Sequence, residues 1–150
     1  MGYNIHITRA ESWLDDETPI TLEEIEQIWD KLPEGFQIDR SGVVTANMSN
    51  GSSLSVKVKP YLIFQNGDDE ESRVHIYFDN GAPEFCVHDE MKMLPIIELA
   101  DLLGAKVQGD EDEIYTKEDI LKEAYASQSV QEKISEVQKK KNILQKIFRL

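Results

Sequence analysis

Several things are scarce in this chain of 150 residues. A single cysteine, Cys86, excludes an internal disulfide and suits a reducing compartment. The three histidines, His6, His75 and His88, are never close in sequence, so the local spacing that marks a zinc site is missing. No apolar run approaches the roughly 20 residues that a transmembrane helix needs. The opening ten residues alternate polar and apolar side chains and lack the apolar core of a secretory signal. Positive charge is short too: 16 Lys and Arg face 29 Asp and Glu, a formal charge of −13. Phosphate recognition needs clustered Lys and Arg, so no nucleic acid is expected as a partner. The expectation is a cytoplasmic protein without metal or cofactor, whose acidity suits solubility or a basic partner reached by electrostatic steering.

What is present points to one core. With 40% hydrophobic and 30% charged residues the chain fits a single globular domain. Its charge is unevenly placed: 10 basic and 27 acidic side chains through residue 128, then 6 basic and 2 acidic from residue 129 on. Residues 1–128 are therefore expected to form the domain, and 129–150 a basic, amphipathic C-terminal helix. The organising stretch is Ser72–Val87. Val74, Ile76 and Phe78 alternate with His75 and Tyr77, Asp79-Asn80-Gly81 supplies turn residues, and Phe85 and Val87 continue the alternation. This predicts a central antiparallel hairpin.

Further alternating segments start at Tyr3, Phe36, Val43 and Leu54, and Tyr61–Phe64 reads as buried on both faces. Thr21-Leu22-Glu23-Glu24 is a capping box opening a helix whose apolar stripe runs from Leu22 to Leu32 before Pro33. Asp89 caps a second helix, and Pro95 places its regular part from about Leu94, with Gly104 as the stop. Ala105–Gln108 and Ile114–Tyr115 read as short strands, and a third helix follows Thr116. The predicted class is α+β: an antiparallel, twisted sheet of about five to seven strands with helices on one face.

No catalytic constellation emerges, so no enzyme is expected. Cys86 and His88 share one side of a strand, but a thiolate nucleophile also needs an activating environment, and a small buried residue beside a strand-end histidine explains the pair as well. Asp110-Glu111-Asp112-Glu113 lacks the glycine and distant glutamate of a calcium loop and reads as a solvated turn. The acidic N-terminal set offers more. Asp15, Asp16, Glu23, Glu26 and Asp30, with Trp13 as an aromatic anchor, form a candidate patch for capturing a basic protein. Solvation of a helix face and a loop accounts for much of the same pattern. In the tail, Val130, Ile134, Val137, Leu144 and Phe148 recur at heptad spacing, interrupted by Lys141. That seam could self-associate into a homodimer, fold back on the acidic body, or lie on an anionic membrane surface, the last being the least favoured.

The opening YNIHITRAESW, followed by the capped TLEE helix, and the later KMLPIIELADLLGAKVQGDEDEIY, particularly its A-K-V-Q-G-D run, resemble a small, largely uncharacterised bacterial family that begins Y-x-I-x-I-T-R-A-x-x-W. Some of its members are immunity proteins that neutralise a polymorphic toxin made by the same cell. The resemblance covers both ends of the region from Tyr3 to Tyr115, leaves out the tail and carries no catalytic residue onto this chain. It implies a non-enzymatic antitoxin whose partner is a toxin domain. The competing expectation is a structural or regulatory module that self-associates through its C-terminal helix.

Overall fold

A computed structural model describes residues 3–79 and 81–126. The chain divides into two compact units, Met1–Thr116 and Lys117–Leu150. In the second unit residues 117–126 are helical, and the expected heptad tail at 129–150 lies outside the described residues.

The first unit is α+β. In chain order it holds β1 (Ile5–Thr8), α1 (Leu22–Gln27), β2 (Phe36–Asp39), β3 (Val43–Asn47), β4 (Ser53–Lys57), β5 (Tyr61–Phe64), β6 (Val74–Ile76), β7 (Glu84–Phe85), α2 (Leu94–Leu102), β8 (Lys106–Gly109) and β9 (Ile114–Tyr115). Every strand pairing is antiparallel, in sheets ordered β7-β1-β8-β9, β2-β5-β6 and β3-β4. The single expected sheet is thus three.

The Ser72–Val87 hairpin explains the division. Its two strands meet at one bridge, where Tyr77 N–H donates to Glu84 C=O at 2.9 Å and Glu84 N–H donates back at 3.0 Å. Beyond that bridge β6 turns to β5 and β7 turns to β1. One residue pair therefore links two sheets. Val74, Ile76 and Phe85 point inward and are buried with Ile5, Ile7, Leu62, Ile96, Leu99 and Val107.

The capping box is present: Thr21 Oγ1 accepts from Glu24 N–H at 3.3 Å, and Glu24 accepts from Thr21 N–H at 3.0 Å. The helix is shorter than its apolar stripe implies, giving way to a 3-10 turn at Trp29–Lys31. Pro95 falls in the first turn of α2, where a missing N–H costs nothing. A 3-10 turn over Glu90–Met93, capped by Asp89, precedes it. α2 packs against β8.

Candidate functional site

The site grows from β1. His6 and Thr8 look like the solvent side of an alternating strand, yet His6 is only 2% exposed and Thr8 is fully buried. β1 lies between β7 and β8, and its polar face is covered by the loop that follows it. Trp13 stacks on His6 with ring centroids 3.7 Å apart, and Thr8 Oγ1 donates to Asp16 at 2.5 Å. Polar residues there are anchors for a loop.

Pairing of β1 with β8 then brings the acidic turn 110–113 beside that loop. Gln108, buried at the end of β8, ties the two together. Its Oε1 accepts from Trp13 N–H at 2.9 Å, and its Nε2 donates to the carbonyls of Glu11 at 3.2 Å and Asp112 at 3.3 Å. Ser12 Oγ donates to Asp112 at 3.0 Å, and Lys106 Nζ donates to the Glu11 carbonyl at 2.8 Å. His6 Nε2 lies 2.9 Å from Asp110 Oδ1, while Asn4 N–H donates to Oδ2 of the same carboxylate at 3.2 Å. Glu113 accepts from Tyr3 and from Tyr115, the latter at 3.1 Å. Burial, then the Glu113 bond, raises the Tyr3 phenol. Burial pushes Glu113 up, but its hydrogen bonds outweigh that and hold it below the ordinary carboxylate value.

The result is a pair of pinned loops carrying eight carboxylates, Glu11, Asp15, Asp16 and Glu17 on one and Asp110–Glu113 on the other. At the tip of the 3-10 turn Trp13–Asp15, Leu14 is 68% exposed. Such an arrangement presents concentrated negative charge and one apolar contact on a surface ordered before any partner arrives, which lowers the entropic cost of binding.

The residues expected to bind a partner fall into two groups. Trp13, Asp15 and Asp16 belong to this loop; Trp13 is half-buried with one ring face taken by His6, leaving Leu14 as the exposed apolar side chain. Glu23, Glu26 and Asp30 sit on α1 and the turn after it, exposed, with Glu26 held by Arg40. Arg9 connects the start of the loop to that helix, donating to Glu24 at 3.0 Å and to the Leu103 carbonyl at 2.8 Å. The contribution of Asp110–Glu113 was hidden, because it depends on a pairing about one hundred residues apart in sequence. The self-association residues Val130, Ile134, Val137, Leu144 and Phe148 lie outside the described residues.

A second feature is the crevice where β6 and β7 part. A cavity of about 340 Å³ is lined by Arg73, His75 and Tyr77 from one strand, Glu84, Phe85 and Cys86 from the other, and Asn4. His75, not His88, shares this cavity with Cys86. Cys86 is exposed, not the small buried residue expected; partial desolvation in the crevice, then the charges of Glu84 and Asp110, push its thiol up, the opposite of an activated thiolate. The thiol donates to Asn4 Oδ1 at 3.1 Å. Burial and then Arg73 lower the His75 imidazole, whose Nδ1 contacts the Tyr77 hydroxyl at 3.1 Å. Tyr61, 5.0 Å from Tyr77 between ring centroids, donates to Asp39 at 3.0 Å and is pushed up to about 12, chiefly by burial.

Compared with family models, curated proteins and solved structures, the chain matches none. Among the described residues no three His, Cys, Asp or Glu side chains are placed to hold a metal ion, and no helix is long and apolar enough to cross a membrane.

Proposed function

We propose that this chain is a non-enzymatic immunity protein that binds a basic toxin domain in the cytoplasm and blocks its access to substrate. The observation that carries the reading is the pinning of two acidic loops by Gln108, which turns separate charge runs into one ordered surface. A toxin that acts on nucleic acid needs a basic face for phosphate. Eight clustered carboxylates around Leu14 offer that face a competing occupant, and their field speeds encounter. The stretches that resemble the immunity family, Tyr3–Trp13 and Lys92–Tyr115, include the acidic turn 110–113, the start of the first loop as far as Trp13, and the strands β1, β8 and β9, which supports the same reading.

The test is co-expression with the toxin encoded beside this chain. Protection by the wild type, lost when Asp15, Glu17, Glu111 and Asp112 are changed to their amides, is the expected result. These four are exposed, and an amide oxygen at position 112 still accepts from Ser12 as the carboxylate does, so the fold survives the change. Equal protection by wild type and variant removes the acidic loops from the account, and no protection by either removes the immunity reading.

A further inference from the structure

The two-stranded sheet of β3 and β4 differs from the rest of the molecule. Its register pairs Val44 with Val56 and Ala46 with Leu54, so these four side chains share one face. The other face carries Thr45 with Ser55, joined by a 3.0 Å hydrogen bond, Asn47 with Ser53, and Val43 with Lys57. A half-polar ribbon ordinarily lays its apolar face on a core. Here Leu54 is 57% exposed and Val56 53%, and Met48 at the turn is 51% exposed. The strands pack chiefly on each other, and each has one edge without a strand neighbour. Isolated two-stranded hairpins are marginal in water, and open edges invite pairing.

Charge indicates what covers this face. From Arg40 to Gly67 the chain has 28 residues without one Asp or Glu, and Arg40, Lys57 and Lys59 are its only charges. No other acid-free stretch is as long. A basic toxin is not drawn to it, and neither is the basic tail. Two copies of a chain with charge −13 repel one another over most of their surfaces, and this ribbon is where that repulsion is least. The apolar face holds two adjacent pairs, Val44–Val56 and Ala46–Leu54, and an isologous contact about a two-fold axis would set one pair against the other.

We propose that two copies of this chain associate face to face through the apolar sides of their β3–β4 ribbons. Five residues of strand span about 17 Å, so the footprint is well below the roughly 800 Å² per partner of a tight complex. The dimer is accordingly weak, with a dissociation constant in the micromolar range. The inference stands apart from the acidic loops and survives or fails without them.

The test is sedimentation velocity of the full chain over a micromolar-to-millimolar series, at low and high salt. A reversible dimer is expected that tightens with added salt as like-charge repulsion is screened. Leu54→Asp with Val56→Asp weakens it by at least about tenfold, and Leu144→Asp in the tail leaves it unchanged. If the aspartates disturb the ribbon, Leu54→Thr with Val56→Thr keeps the β-preference and still weakens the dimer. A chain that stays monomeric throughout overturns the proposal. So does a dimer that ignores both ribbon pairs, or one abolished by the tail substitution alone.

Discussion

Trp13 lies flat on His6, ring centroids 3.7 Å apart and planes within 8° of parallel. This stack closes the polar face of β1 and fixes the first residue of the turn that displays Leu14. His6 Nδ1 and Trp13 Nε1 are buried without a hydrogen-bond partner, so the pair is held by ring contact, by His6 Nε2 against Asp110 and by the Trp13 N–H on Gln108.

Trp13→Ala removes the cover from His6 and leaves a gap over β1. Full burial of a large aromatic is worth about 3–5 kcal/mol on truncation. Trp13 is half-buried, so a loss of about 2 kcal/mol is expected, seen as a drop of about 4–8 °C in Tm for a chain of this size. Trp13→Phe keeps a ring on His6 and recovers most of it. An unchanged Tm for Trp13→Ala shows that the stack does not support the loop.

Gln108→Ala strips three hydrogen bonds from the backbone of the two loops. Leaving part-buried backbone groups unpaired costs about 1–3 kcal/mol each at most, and water reaching the loops offsets part of it. Amide hydrogen exchange reads the effect locally. Faster exchange is expected over 11–16 and 110–113, with β5 and β6 unchanged. Uniform acceleration across the first unit assigns Gln108 a general structural role instead.

His75 makes stability depend on pH. Its folded value lies below the ordinary 6.5, chiefly through burial and then Arg73. The unfolded chain takes up this proton first as pH falls. Stability from the neutral imidazole is thus complete above about 6.5 and is lost as pH drops toward the folded value. Urea midpoints measured from neutral pH down to pH 5 show this loss in the wild type, and His75→Gln reduces it. Identical pH profiles contradict the burial assigned to His75.

Tyr61 acts at the other end of the scale. Its phenol is pushed up to about 12 by burial and by its bond to Asp39, so the stability it brings is present below pH 10 and is lost as pH rises toward 12. Tyr3, Tyr77 and Tyr115 are raised as well, so absorbance titration of the phenolates shows several late-ionising tyrosines, and Tyr61→Phe lowers their number by one.

Local features were legible in the sequence and long-range ones were not. The Thr21 capping box and the Pro95 start of α2 both rest on residues within a few positions of one another. The burial of His6 and Thr8 was not legible, since an alternating strand looks half-exposed until Trp13 and Asp16 are known to cover it. Nor was the parting of the Ser72–Val87 hairpin, because β5 and β1 compete for its two strands from far along the chain. Asp110–Glu113 read as a solvated turn for the same reason. Its meaning depends on Gln108 facing the backbone of Glu11 and Trp13. The exposure of Cys86 was hidden likewise, as the parting strands open a cavity there that it shares with His75.

The most direct measurement is capture from the native cell with the full chain as bait, comparing wild type with the variant that has Asp15, Glu17, Glu111 and Asp112 changed to amides, at low and high salt. The account predicts one basic toxin-like protein recovered in stoichiometric amount by the wild type at low salt, and its loss both with the variant and with salt. Equal recovery by both forms, or recovery that salt does not affect, contradicts a partner held by the acidic loops.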